Sequence, residues 1–503
     1  MRSATAHICH DAVTPVRNKV ARHGDPMTIS RRHLISAAAT GAAFVGLSRF
    51  AVAQDQSTGD GYVNEAPGYG PLKADPAAVF DLPEGFSYQA FSKAGETMSD
   101  GLVTPHKADG MGCFPLDRDR VILVRNHELK PSDLAYGAFG KDHALADRID
   151  RTRVYDLNQD GKPLCGGTTT LVYDLKKKRL ESSHLSLAGT AVNCAGGVTP
   201  WGSWLTCEET VVNPGPNAGG QTLQKSHGWV FEVPSRAKGL VQATPLTGLG
   251  RFKHEATAID PRTGVVYLTE DEGDGRGLFY RFLPNDRRAL AKGGRLQALA
   301  FRDGGDSRNW SGAEWTPGQW RDTVWIDLDG VDNPNDDLRH RGHAKGAAWF
   351  ARGEGIFFGE GELYFTCTSG GPKRLGQVLR YRPSRFEGDP REKDEPGRVQ
   401  LFVEPTDPKV MNMCDNLAIA PNGHLMVCED KVELRGVNYL KGITPEGKVY
   451  AMGRLVRGPS DGALPTTELA GVCFSPDGST LFVNAYWPGM TLAITGPWER
   501  LKA

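Results

Sequence analysis

The sequence predicts an all-β fold, a six-bladed β-propeller with insertions at the rims. Three observations predict it. A strand–turn–strand unit recurs six times along the chain. The chain has 61 Gly and 32 Pro, which suits many short strands joined by turns. No long amphipathic helix follows residue 60. Repetition of one supersecondary unit is typical of propellers.

The repeat unit is an apolar strand, a turn that contains glycine, and a second apolar strand. Pro-Asn-Gly and Pro-Asp-Gly supply the turns, because proline presets one φ angle and glycine accepts a positive φ. A third strand often follows, which gives three or four strands per copy. The uneven spacing predicts long rim insertions, and a β-sandwich is the alternative fold. We expect repeats to start near Asp109, Cys194, Glu255, Gly346, Asp415 and Gly471.

The N-terminus has the features of a targeting segment. Arg31 and Arg32 form a twin-arginine pair, followed by a short apolar stretch and a small-residue cleavage site. The apolar stretch is too short to span a bilayer. We therefore expect residues 1–53 to be a twin-arginine signal peptide, with Met27 as an alternative start. Residues 54–503 are expected to form a single propeller domain, carried by the twin-arginine machinery to the periplasm or the medium.

Composition excludes several classes of partner and site. The formal net charge is -1, so no general attraction to nucleic acid is expected. We also expect no stable insertion into a membrane. None of the nine cysteines forms a CxxC pair, which argues against a zinc-ribbon site.

Ligand-type residues recur at the same place in the repeats. In a propeller the innermost strands line a central channel, so equivalent positions converge there. Clustered buried carboxylates stay ionised only when cations compensate them. Oxygen ligands in number suit Ca²⁺, whereas a thiolate prefers a transition metal, so the pattern predicts a mixed metal site. Four residues lie six positions before a repeat proline: Asp109, Cys194, Glu255 and Asp415. Acidic residues also end the second strand of several copies: Glu128, Glu209, Glu270 to Glu272, and Glu429 with Asp430.

A further segment, Trp349 to Gly355, combines an arginine and a glutamate between aromatic residues. Arg352 and Glu354 are two apart, so on a strand they share a face. Arginine offers a planar fork suited to phosphate oxygens. A surface ion pair is the alternative interpretation.

Together these segments resemble the PhoX-type alkaline phosphatases. The resemblance extends from about Asp81 to Trp498, and its most specific stretch is Asn193 to Glu209. The other matching stretches are residues 125–128, 253–255, 270–272, 352–354 and 414–416. The family implies a six-bladed propeller with an iron and calcium cluster, Fe³⁺ and Ca²⁺, that hydrolyses phosphomonoesters.

The resemblance also implies roles for individual residues. Cys194 would be an iron ligand, and Arg352 would bind the phosphate of a small phosphoester substrate. Further metal ligands would be Glu128, Glu209, Glu272 and Glu354. Glu255 and Asp415 come mainly from the register of the repeats.

Two other functions remain open at this point. One is a calcium-dependent propeller hydrolase that acts on lactones or other esters. The other is a non-catalytic binding propeller of the cell envelope. Cys194 together with Arg352 favours the phosphatase, since a lactonase needs neither a soft ligand nor a phosphate clamp.

Overall fold

The computed structural model describes residues 61–217, 220–431, 437–456 and 468–501. The expected signal peptide, with Arg31, Arg32 and Met27, lies outside the described residues. Within them the regular secondary structure is mostly β-strand, with one α-helix, α1 (Leu338–Ala344). In the described part of the chain, no helix has the length and apolar character needed to cross a bilayer.

The strands are short and follow one another closely along the chain. In order they are β1 (Leu72–Lys73), β2 (Phe80–Pro83), β3 (Ser87–Phe91), β4 (Ala108–Pro115), β5 (Arg120–His127), β6 (Gly166–Asp174), β7 (Arg179–Thr190), β8 (Asn193–Val198), β9 (Ser203–Glu208), β10 (Gly215–Pro216), β11 (Thr222–Leu223), β12 (Val230–Pro234), β13 (His254–Ile259) and β14 (Val266–Glu270). They continue with β15 (Phe279–Pro284), β16 (Gly294–Phe301), β17 (Trp320–Asp327), β18 (Gly353–Gly359), β19 (Glu362–Cys367), β20 (Gln377–Arg382), β21 (Arg398–Val403), β22 (Cys414–Ile419), β23 (Leu425–Glu429), β24 (Tyr439–Ile443), β25 (Val449–Leu455), β26 (Leu469–Phe474), β27 (Thr480–Ala485) and β28 (Met490–Thr495).

Single turns of 3-10 helix lie in the connections, mainly in the insertions. They are Leu134–Tyr136, Lys141–His143, Ala146–Arg148, Arg151–Arg153, Thr247–Leu249, Leu290–Lys292, Pro390–Lys393 and Trp498–Arg500.

Every strand pairing is antiparallel, and most sheets are meanders of consecutive strands. Their orders are β4-β5-β6-β7, then β12-β9-β8, then β13-β14-β15-β16-β17-β21-β20-β19-β18, then β1-β2-β25-β24-β23-β22, then β26-β27-β28-β3, with β10-β11 as a separate pair. Strand β3, near the start of the described chain, pairs with β28 near its end, which ties the two termini into one sheet.

The strands β4, β8, β13, β18, β22 and β26 pack against one another in chain order, and β26 also packs against β4. The expected all-β, propeller-like architecture around a central channel is thus confirmed. One predicted repeat start is wrong. Strand β18 begins at Gly353, whereas Gly346 follows α1 with a φ of 109°, because an insertion occupies the chain before the strand.

Small residues let these inner strands approach one another closely. A Cβ added to Gly110 would lie 2.4 Å from Cα of Ala195, and one added to Gly355 would lie 2.6 Å from Cα of Asn416. The large apolar side chains pack between sheets instead. Tyr173 of β6 packs edge to face against Phe482 of β27, for example, with 5.3 Å between ring centroids. The core therefore lies between the sheets, and the channel is left for polar side chains at its mouth.

Candidate metal centre

Three positions recur in the six hairpins that start with β4, β8, β13, β18, β22 and β26. We call the residue before the inner strand the entry residue, the second residue of that strand the channel residue, and the residue after the second strand the exit residue. The entry residues are Lys107, Val192, Lys253, Arg352, Met413 and Glu468; the channel residues are Asp109, Cys194, Glu255, Glu354, Asp415 and Ala470; the exit residues are Glu128, Glu209, Asp271, Thr368, Asp430 and Tyr486.

One backbone hydrogen bond fixes these positions in every hairpin. The exit N–H donates to the entry carbonyl, at distances from 2.8 Å for Glu209 to Val192 up to 3.2 Å for Asp271 to Lys253. Each hairpin also has a register shift within the first residues of its inner strand. Such bulges re-aim a side chain, and this one lets channel and exit side chains meet.

Channel and exit side chains, together with the entry residue Glu468, converge into three groups that could hold metal ions. Within each group the ligand atoms lie within 4.8 Å of one another. The groups are Cys194 with Glu209 and Glu255, Asp109 with Glu128 and Glu468, and Glu255 with Glu354 and Asp415. Of the seven residues expected as metal ligands, six therefore lie in these groups.

Burial and mutual repulsion act on these carboxylates together. Burial raises the pKa of Glu255 well above its usual range, and the charges of Glu354 and Asp415 raise it further. Asp109 and Glu209 are affected in the same way by burial and by neighbouring carboxylates. Oε2 of Glu255 is buried and accepts no hydrogen bond from the described residues. The carboxylates of such a site can ionise together only if further positive charge is added to it.

The Cys194 thiol lies among these acids. Its Sγ is 3.7 Å from Oδ2 of Asp109. Burial, followed by the charges of Asp109 and Glu255, raises the pKa of the thiol well above its usual range. The thiol would thus stay protonated unless a cation bound beside it, because a thiolate there faces several carboxylates.

Arg352 supplies a positive charge at the channel mouth. Its Nη2 lies 2.7 Å from Oδ2 of Asp271 and 3.1 Å from Oε1 of Glu354, and its Nε donates to Oδ1 of Asp271 at 2.9 Å. Although burial lowers the pKa of Arg352, the charges of Glu354 and Asp271 raise it overall. The expected neighbourhood of Arg352 and Glu354 is therefore present. The nearby Thr368 hydroxyl is buried and has no partner in the described chain.

Glu272 is the expected ligand that the structure does not bring into these groups. Its carboxylate lies 2.9 Å from Nζ of Lys253 and 3.3 Å from Nη2 of Arg339. The exit position of this hairpin belongs to Asp271, one residue earlier. Successive residues of an extended chain point in opposite directions, so an offset of one residue exchanges a channel side chain for one outside it.

Several acids of the centre were not among the expected ligands. Asp109 had a sequence signal, its distance from a repeat proline, and Asp271 and Asp430 were in the acidic strand ends. Glu468 had no such signal, since its entry position is filled by a lysine or arginine in three other hairpins. Tyr486, which takes the exit position of the last hairpin, donates its hydroxyl hydrogen bond to Glu128.

The donor set fits multivalent cations. Buried carboxylate oxygens from several strands, one of them an orphan atom on Glu255, are the ligands that Ca²⁺ prefers. The thiol of Cys194 adds a softer donor suited to a transition metal. Cations placed here would compensate the like charges that raise the pKa of the carboxylates.

The family model for alkaline phosphatase PhoX matches residues 67–489. No curated protein matches the sequence significantly.

Three solved structures align with the chain at low sequence identity. PhoX of Pseudomonas fluorescens, in complex with the transition-state analogue vanadate, aligns at 21% identity with a TM-score of 0.61, over 83% of this chain and 96% of that one. A gluconolactonase of Xanthomonas campestris aligns at 14% identity with a TM-score of 0.37, over 85% and 98% of the two chains. The periplasmic gluconolactonase PpgL of Pseudomonas aeruginosa aligns at 13% identity with a TM-score of 0.35, over 80% and 89%.

Proposed function

Because the chain belongs to the alkaline phosphatase PhoX family and is an alkaline phosphatase, we propose that it is an exported enzyme that hydrolyses phosphomonoesters with calcium and iron bound in its channel. Family membership favours this function over a lactonase or a non-catalytic propeller. The observation that carries the proposal is the convergence of buried, mutually repelling acids and one thiol at the channel mouth.

The proposed fold has six blades. The entry, channel and exit positions recur in six hairpins whose inner strands pack in cyclic order, which supports this count. The nine-stranded sheet would then be two blades, β13 to β17 and β18 to β21, joined where β17 pairs with β21.

We assign the metals to the three groups of acids. Cys194 would bind iron, with Glu209 and Glu255 beside it, while calcium would bind the harder all-oxygen groups. The proposed ligands are Glu128, Cys194, Glu209, Glu255, Glu354 and Asp415, joined by Asp109 and Glu468. Asp271 replaces Glu272 as a proposed metal ligand, because its exit position faces the channel.

When bound, the metals would supply Lewis acidity and a deprotonated oxygen nucleophile at moderate pH. The chain's own contribution is the Arg352 guanidinium, whose fork matches two oxygens of a phosphoryl group. Its bonds to Asp271 and Glu354 hold the fork at the mouth before substrate arrives. A donor fixed in advance stabilises the charge of the transferring group without reorganising during the reaction.

We further propose export by the twin-arginine route. This rests on the pair Arg31 and Arg32, the apolar stretch after it and the cleavage site before Gln54. Folded export would let the metal site load before or after translocation. Replacing both arginines with lysine should trap the precursor inside the cell, as a blot of cell fractions would show.

The test of the function uses protein exported by its own signal. The purified enzyme should hydrolyse a simple aryl phosphomonoester and contain calcium and iron. Cys194→Ala should lose the iron and cut hydrolysis about 10²-fold or more, as expected when a metal site is disrupted. Calcium chelation should stop hydrolysis, and added Ca²⁺ should restore it.

Cys165→Ala is the matched control, because Cys165 is a buried free thiol in a rim cluster rather than in the channel. It should keep the metals and the activity. A Cys194→Ala enzyme that retains iron and full activity would remove Cys194 from the centre.

A further inference from the structure

Lys253 and Arg352 occupy the same entry position in neighbouring hairpins. Their carbonyls accept the equivalent exit N–H bonds, from Asp271 at 3.2 Å and from Thr368 at 2.9 Å. The inner strands β13 and β18 that follow them pack side by side. Two cations are thus placed next to each other on one arc of the channel mouth.

The same acid lies beside both cations. Asp271 is bonded to Arg352. Its backbone N–H donates to the Lys253 carbonyl at 3.2 Å, and Nζ of Lys253 lies 2.9 Å from Oε1 of Glu272, the residue after Asp271. Both cations therefore face the acids of the centre. Lys107 has the entry position on another arc, but its ammonium is paired with Asp133 at 2.7 Å.

Glu272 is built to hold Lys253 in place. Its Oε1 accepts a hydrogen bond from Lys253 at 2.9 Å, and its Oε2 lies 3.3 Å from Nη2 of Arg339, an ion pair without a hydrogen bond. Arg339 comes from α1 and is itself paired with Asp336 at 2.8 Å. The insertion that carries α1 thus acts through Glu272 on a side chain at the mouth.

Exposure along this chain of contacts rises toward the mouth. The side chains of Arg339 and Glu272 are each 12% exposed, whereas that of Lys253 is 34% exposed. A buried pair thus supports an ammonium that reaches solvent. One face of the ammonium is held by Glu272, and its remaining hydrogens can be donated to an anion.

Arg352 alone leaves a phosphate poorly compensated. Its guanidinium already faces Asp271 and Glu354, so the two carboxylates balance its charge. A phosphomonoester carries close to two negative charges and must approach a mouth rich in acids. An ammonium is a point charge that complements a bidentate guanidinium at a phosphate.

We propose that Lys253 is a second phosphate-binding residue beside Arg352, and that Glu272, anchored by Arg339, is its positioning residue and not a metal ligand. The inference rests on the proposed phosphatase function and deepens it. The channel mouth would then offer the same phosphoryl oxygens the guanidinium fork of Arg352 and the point charge of Lys253.

The experiment uses the metal-loaded enzyme and four variants: Lys253→Met, Lys253→Arg, Glu272→Gln and the control Lys292→Met. Lys292 forms a 2.7 Å ion pair with Asp286 in the exposed connection between β15 and β16. The readouts are kcat and KM for an aryl phosphomonoester, inhibition by inorganic phosphate, and calcium and iron content.

Lys253→Met should raise KM and the inhibition constant for phosphate about 10-fold or more, the scale of one hydrogen bond to a charged group. Lys253→Arg should recover part of this loss, since it keeps a charge. Glu272→Gln should raise both constants by less, because Lys253 remains but is held less firmly. All variants should keep their metals, and Lys292→Met should match the parent enzyme.

Other outcomes overturn the inference. Unchanged KM and phosphate inhibition in Lys253→Met would remove Lys253 from the phosphate site, while hydrolysis by the parent enzyme keeps the phosphatase function intact. Loss of calcium or iron in Glu272→Gln would make Glu272 a ligand and end its positioning role. A parent enzyme that hydrolyses no phosphomonoester would overturn the proposed function and the inference with it.

Discussion

Two rows of acids end the second strands of three hairpins, and they differ in what surrounds them. The inner row, Glu208, Glu270 and Glu429, consists of the last residues of β9, β14 and β23. The exit row, Glu209, Asp271 and Asp430, consists of the residues that follow. The two rows are adjacent in sequence, yet they point to opposite sides of the chain.

The inner row is supplied with donors by the protein itself. Glu208 accepts from the backbone N–H groups of Ala191, Gly228 and Trp229 at 2.8–3.1 Å, and from His227 at 2.7 Å. Glu429 accepts from two backbone N–H groups. These carboxylates are satisfied by hydrogen-bond donors of the protein itself and need no bound ligand.

The exit row faces other acids instead. Burial raises the pKa of Glu209 well above its usual range, and the charges of Asp271 and Glu128 add to the shift. Within the described chain, Arg352 is the cation bonded directly to Asp271. One row is thus completed by folding, whereas the other is proposed to be completed by bound cations, and an acidic dipeptide provides one member of each.

The largest expected effect comes from neutralising, in separate variants, the two neighbouring acids at the end of β9, one from each row. Glu208→Gln should destabilise the fold by about 3 kcal/mol, because the buried His227 charge loses its nearer carboxylate partner, at 2.7 Å, and keeps only Asp156 at 3.3 Å. Glu209→Gln should instead cut hydrolysis about 10²-fold or more through the metals. In chelated protein it should leave the unfolding free energy unchanged or higher, since a repelling charge is gone.

Urea unfolding of the chelated proteins, together with activity of the loaded ones, measures both effects. The comparison breaks if Glu209→Gln unfolds the metal-free protein as readily as Glu208→Gln does. It would also break if Glu208→Gln kept full stability.

A second prediction uses pH to test how the inner row is held. Burial would lower the pKa of His227, but the charge of Glu208 and the hydrogen bond to Asp156 raise it to about 9. Between pH 6.5 and 9 the folded protein keeps a proton that the unfolded chain has lost. Its stability should therefore fall as pH rises through 9, by up to about 3 kcal/mol from this residue.

Urea unfolding of the parent and of His227→Gln from pH 6 to pH 10 measures this term. The parent should be more stable at pH 6, and the two curves should converge toward pH 10. Parallel curves would show that His227 is not charged in the folded protein.

A third prediction concerns the cation of the exit row. Arg352→Ala should lower kcat/KM about 10²-fold, as expected for the loss of one charge-stabilising donor. Calcium and iron should remain, because Arg352 is not among the ligand groups. Arg352→Lys should recover only part of the rate, since it keeps the charge but loses the fork. Loss of calcium or iron in Arg352→Ala would show that Arg352 is needed to assemble the metal centre rather than to bind substrate.

The sequence predicted the fold more completely than the site. The turn chemistry and the recurring strands indicated a propeller, and the spacing to a proline found Asp109, Cys194, Glu255 and Asp415. That spacing depends on a turn of fixed length, so it missed Glu354, which came from the arginine two residues earlier. An insertion before β18 also displaced the expected repeat start at Gly346.

The choice between Asp271 and Glu272 shows why the rest of the site could not be predicted from the sequence. A strand end is set by where its last hydrogen bond forms, here the bond from Asp271 to Lys253. Three consecutive acids offer no local signal for that position. An error of one residue then exchanges a side chain in the channel for one bonded to Lys253 and Arg339.

At pH 5 the smallest expected effect comes from Glu270, the member of the inner row with the fewest backbone donors. It accepts from the Leu278 N–H and the Tyr280 hydroxyl, both at 2.8 Å, and burial raises its pKa to about 8. At pH 5 the folded protein therefore holds a neutral acid there, and Glu270→Gln should change stability by less than about 1 kcal/mol. Between pH 4.5 and 8 the folded parent keeps a proton at Glu270 that the unfolded chain releases, so the parent should lose more stability as pH rises than Glu270→Gln, which retains only the contributions of other groups such as His227. Urea unfolding of both proteins should show that the stability of Glu270→Gln relative to the parent is higher at pH 8 than at pH 5. A loss at pH 5 as large as that of Glu208→Gln would mean that Glu270 is ionised and that all members of the inner row are held alike.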